Sequence, residues 1–116
     1  MSGNNTPALE APTSISVVSD TDKARFNRLR DKWKSERGPE SSTTRLVMHP
    51  TYQMIIGMGP QIIPLLLREL EQQVDAWFWA LQAITEEDPV PQEHRGNWKE
   101  MAKAWLAWGK THGYKW

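Results

Sequence analysis

Cysteine is absent from the 116-residue chain. That excludes a disulfide scaffold, a cysteine-ligated zinc site and a thiol nucleophile. No apolar run approaches the length that crosses a bilayer, so no membrane partner is expected. The opening MSGNNTPALEAPTS lacks the charged start and apolar centre of a secretory leader, and a cytoplasmic protein is the expectation. Net charge is missing as well: Lys+Arg and Asp+Glu both number 14, so no global field draws the chain to nucleic acid. Catalytic constellations are equally scarce. His49, His94 and His112 fall in separate segments, no carboxylate pair has a convincing spacing, and no enzyme is expected. Gly57-Met58-Gly59 has no strand before it and no Gly-Lys-Ser/Thr after it, so no nucleotide cofactor is expected.

What the chain does have is an apolar centre. Thr51 to Ile84 holds most of the large aliphatic residues and two of the seven tryptophans. It reads as helix, Gly-Pro turn, helix, short turn, helix. Tyr52, Ile55 and Ile56, with Met48 and Met54 nearby, form the apolar face of the first. Ile62, Ile63, Leu66, Leu67, Leu70 and Val74 give the second a wide stripe. Asp75 is placed to cap the third, AWFWALQAIT, which is apolar nearly all round.

The flanks supply covers for this centre. Residues 1–18 are rich in Ser, Asn, Thr, Pro and Ala, too polar to offset their ordering entropy, and a mobile tail is expected there. The helical domain is expected over 19–116. Ser19 and Asp22 make a capping box, and Phe26, Leu29 and Trp33 recur at helical spacing until Gly38-Pro39. Ser41 to Thr44 offer N-caps for a helix that His49-Pro50 must kink or restart, with His49 as a cap or a satisfied core residue. Near the end, Asn97 and Glu100 form a second capping box, and Trp98, Met101, Trp105, Trp108 and His112 share one stripe. Gly109 and Gly113 mark the fraying end of that helix. The fold class is therefore all-α, an antiparallel bundle of about five helices.

Charge is distributed unevenly although it cancels. Lys23 to Arg45 carries eight basic and three acidic residues, whereas Arg68 to Arg95 carries two basic and seven acidic ones. Too many tryptophans for so small a core, together with this separation, point to a protein partner. Trp77 and Trp79, if exposed, and the acidic run Glu86, Glu87 and Asp88 are the candidate contacts. Nothing fixes those three carboxylates around a cation, and no metal is expected. The alternative is nucleic-acid binding through Lys23, Arg25, Arg28, Arg30, Lys32 and Lys34, provided they gather on one surface.

The turn and helix IIGMGPQIIPLLLREL, followed by DAWFWALQAIT, resemble the inter-helix turn of one HEAT-like repeat and the first helix of the next. From Phe26 to Trp116 the chain resembles short bacterial helical proteins carrying HP-x-YQ-x-IIGMG, WFWAL and AWLAWG. The resemblance implies a small HEAT-like bundle working as an interaction protein, such as a regulatory, antitoxin-like or accessory protein.

Overall fold

The computed structural model describes residues 18–39 and 42–116, which are all-helical. Six α-helices follow in order: α1 Asp20–Glu36, α2 Thr43–Met48, α3 Pro50–Gly57, α4 Ile63–Gln72, α5 Phe78–Thr85 and α6 Trp98–Thr111. Short 3₁₀ turns at Pro60–Ile62 and Gln92–His94 lead into α4 and α6. The count exceeds five because His49-Pro50 restarts the helix. The expected mobile tail lies outside the described residues except for Val18, which is buried.

Local chemistry explains most of the boundaries. Ser19 Oγ accepts from Asp22 N at 3.1 Å and opens α1. Ser42 does the same for Arg45 N at 3.3 Å and opens α2. His49 Nδ1 accepts from Thr51 N at 3.1 Å, so the histidine caps α3, with Pro50 in the first turn where no donor is lost. Its Nε2 lies 3.3 Å from Glu36 Oε1. The hydrogen bond from Lys32, joined by His49, holds the Glu36 carboxyl below the usual range. Gly59 turns the chain at φ 86, in the left-handed region that glycine enters without strain. Asn97 Oδ1 accepts from Glu100 N at 3.2 Å and opens α6.

The helix pairings set the core. α3 packs against α1, α2 and α5, and α4 packs mainly against α6. One continuous cluster fills the space between them, including Phe26, Trp33, Tyr52, Ile55, Leu66, Leu67, Trp77, Leu81 and Trp105. Fully burying each such side chain contributes about 1.5–3 kcal/mol. At Gly109 α6 leaves no room for a side chain: a Cβ there would stand 2.6 Å from Leu67 Cδ1 of α4 and 2.9 Å from Trp116 Cζ3. Gly109 is thus a packing residue inside α6, not its fraying end.

Other expectations are corrected. α4 stops at Gln72, so Val74 leaves the stripe and is 38% exposed. Met48 and Met54 face outward, at 64% and 48%, because the restart at Pro50 turns the inner face over to Tyr52 and Ile55. Asp75 does not cap α5. Its carboxylate is held by Arg37 through two bonds of 2.9 and 3.0 Å, a charge-assisted fork stronger than a neutral cap.

Candidate partner-binding surface

The two candidate tryptophans, two positions apart at the start of α5, have opposite fates. Trp77 is fully enclosed, its ring 4.8 Å from Trp33 and 5.8 Å from both Phe26 and Tyr52. It offers a partner no surface. Its Nε1 is buried and unpartnered among the described residues. The Tyr52 hydroxyl beside it donates to Ala76 O at 2.6 Å and accepts from Ala80 N at 2.9 Å. A side chain of α3 therefore satisfies a free amide in the first turn of α5, which has no cap of its own. Burial pushes the Tyr52 hydroxyl well above the usual phenol range, an effect outweighing the opposing bond from Ala80.

Trp79 is only half-buried. Its ring lies 6.0 Å from Trp98 and 5.8 Å from Phe78, in edge-on contacts. It stands at a cleft of ≈ 160 Å³ between α5, the Asp88–Gly96 connection and α6, shared with Asp88, Arg95, Val90 and Met101. The fold thus brings Trp79 and Asp88 to one place. Volumes near 300 Å³ mark the lower end for drug-sized ligands, so this space suits a single anchoring side chain.

The acidic run is divided in its duties. Asp88 pairs with Arg95, accepts from Gln82 Nε2 at 3.1 Å and caps Val90 N at 3.1 Å. Glu87 accepts from Trp108 Nε1 at 3.1 Å, and its Oε1 lies 3.9 Å from His112 Nε2. Glu86 is exposed and holds φ 60 at the end of α5, a left-handed conformation that costs a side-chain-bearing residue about 1 kcal/mol or more. The run serves the fold in two of its three members.

The basic residues of α1 do not form one surface. At about 100° per residue, Lys23, Arg30 and Lys34 fall on one flank of the buried Phe26–Leu29–Trp33 stripe, and Arg25, Arg28 and Lys32 on the other. On the first flank Arg30 Nη1 and Lys34 Nζ reach Glu69 at 2.9 and 3.7 Å. On the second Lys32 pairs with Glu36. Lys23, Arg25 and Arg28 are exposed.

Sequence reasoning missed Trp98 as the companion of Trp79 and Arg95 as the partner of Asp88. The Trp98 signal was present in the stripe of α6, but its position at the edge of that stripe decides its exposure. Among the described residues no group of three or more His, Asp or Glu side chains could hold a metal ion. None of their helices is long and apolar enough to cross a membrane. Compared with known proteins, the chain matches no family model, no curated protein and no solved structure.

Proposed function

We propose that this chain is a non-enzymatic binding module for another protein, engaged at the cleft between α5 and α6. The observation that carries the reading is half-buried Trp79, which lines a space sized for one side chain and is backed edge-on by half-buried Trp98. Tryptophan is enriched among the residues that anchor protein interfaces. The Asp88–Arg95 pair at the edge supplies polar recognition of either sign. The partner segment presents an apolar side chain to the cleft. A regulatory, antitoxin-like or accessory role in a bacterial cytoplasm is the biological form of this proposal.

The HEAT-like architecture belongs to the same proposal. In its favour stand the Gly59-Pro60 turn between α3 and α4 and the helix restart of α5. A single repeat pair would pack α3 directly on α4, whereas the main contacts of these helices run to α1 and α5 and to α6. A compact variant of the repeat, unsuited to extended stacking, fits both facts.

Nucleic-acid binding by α1 is the weaker reading, since its six basic residues flank the buried stripe on two sides and three of them are paired. Affinity capture of the tagged protein from bacterial cells, with nuclease treatment and a salt series, separates the two. One stoichiometric protein retained by the wild type and lost with Trp79→Ala supports the proposal. Material that disappears with nuclease, or capture indifferent to Trp79→Ala, overturns it.

A further inference from the structure

A second concavity carries a different chemistry. Val18, Lys23 of α1, Pro64, Leu65 and Arg68 of α4, and Lys115 and Trp116 beyond α6 enclose a cleft of ≈ 320 Å³. Its three charged residues are all basic, they come from three separate parts of the chain, and none makes an ion pair among the described residues. The nearby carboxylates of α4 are already engaged. Glu69, in the adjoining cleft, is held by Arg30 and Lys34, and Glu71 accepts from Trp116 Nε1 at 3.0 Å.

We propose that this cleft binds a small phosphomonoester carried on a planar, largely apolar body. Three cations around one space repel one another unless an anion joins them. A phosphomonoester carries roughly −1.5 to −2 at neutral pH and matches that charge better than a carboxylate of −1. The Arg68 guanidinium takes phosphate oxygens as a fork, with Lys23 and Lys115 as point charges. Val18, Pro64 and Leu65 give the body an apolar floor, and the Trp116 indole, tethered by Glu71, gives it a stacking wall. The volume enters the range of small-ligand sites. A nucleic-acid strand would need cations continuing along its backbone, yet Arg25 and Arg28 lie on the opposite flank of α1. A single compact dianion is the better fit.

Isothermal titration calorimetry of the full chain with adenosine 5′-monophosphate tests this, with adenosine, inorganic phosphate and a single-stranded oligonucleotide as comparisons. The expected result is saturable one-to-one binding of the monophosphate, tighter than either adenosine or phosphate alone. Arg68→Ala weakens it by about 10-fold or more, the scale of a lost charge-assisted contact. Arg28→Ala, on the other flank, leaves it unchanged, and circular dichroism of both variants matches the wild type because both side chains are exposed. No saturation by about 10 mM monophosphate, a regime of negligible affinity, overturns the proposal. So does equal binding of adenosine, which would mean that the phosphate is not read. Tighter binding of the oligonucleotide, weakened alike by Arg28→Ala and Arg68→Ala, overturns it in favour of nucleic acid.

Discussion

The molecule holds two aromatic assemblies built from the same residue types and used in different ways. The inner one, Phe26, Trp33, Tyr52 and Trp77, joins α1, α3 and the start of α5 with essentially no exposed surface. Its polar atoms turn to the backbone: Trp33 Nε1 donates to Leu46 O at 2.9 Å, and Tyr52 bridges Ala76 and Ala80. The outer residues are Trp79 of α5 with Trp98 of α6, and Trp108 of α6 with Tyr114 and Trp116 beyond its end. Two of the outer indoles turn to surface carboxylates, Trp108 to Glu87 and Trp116 to Glu71. A backbone partner is fixed once the chain folds, whereas a surface carboxylate can be exchanged for water or for a partner's donor. The inner assembly therefore specifies the fold, and the recognition proposed above falls to the half-buried members of the outer one, Trp79 and Trp98.

The largest expected effect marks the boundary between the two. Trp77→Ala, fully enclosed in the inner assembly, should destabilise by about 3–5 kcal/mol, whereas half-buried Trp79→Ala in the outer one should cost about 1–2 kcal/mol. Chemical denaturation of both variants checks this, and equal losses would erase the distinction. Next comes Tyr52→Phe, which strips a buried amide and a buried carbonyl of their partner and should cost about 1–3 kcal/mol. The raised Tyr52 hydroxyl adds a pH signature. The folded state keeps the phenol protonated while the unfolded chain ionises near pH 10, so this stability is fully present below about pH 10 and is lost above it. In Tyr52→Phe the alkaline loss should be smaller.

A finer comparison lies within the inner assembly. Trp33→Phe leaves the Leu46 carbonyl without its donor, while Trp77→Phe removes a donor that has no partner. The volume lost is the same, so Trp33→Phe should be the more damaging by about 1 kcal/mol or more in thermal melts. The smallest effect is a gain. Glu86→Gly relieves the left-handed residue at the end of α5 and should stabilise by about 0.5–1 kcal/mol, raising the melting temperature by a few degrees.

Much of the fold was legible because its signals are local. Ser19 with Asp22, His49-Pro50, Gly59-Pro60 and Asn97 with Glu100 each act within three or four residues, and each marks a real helix boundary. Val74, Met48 and Met54 were misread because a helix end or restart fell a residue or two from where the spacing put it, and the other misreadings involve long-range partners. Asp75 looked like a cap because Arg37, 38 positions away, could not be foreseen as its partner. Gly109 looked like an ending because nothing in its neighbourhood announces Leu67 and Trp116. The candidate site was legible in kind but not in detail. WFWAL marked α5 as the place where aromatics are in surplus, but helical spacing alone could not decide which tryptophan turns inward. That choice follows from Phe26, Trp33 and Tyr52, which surround Trp77 from two other helices.

The measurement closest to the central claim reads fold and recognition in the same variant. Trp79→Ala is purified beside the wild type, its thermal unfolding recorded, and both are used to capture partners from the protein's own cells in the presence of nuclease. The account predicts a folded variant with cooperative unfolding and a melting temperature lower by no more than about 5–15 °C, the shift its expected destabilisation implies, but with the partner lost. Undiminished capture by the folded variant would contradict it and return Trp79 to the role of an ordinary edge of the core.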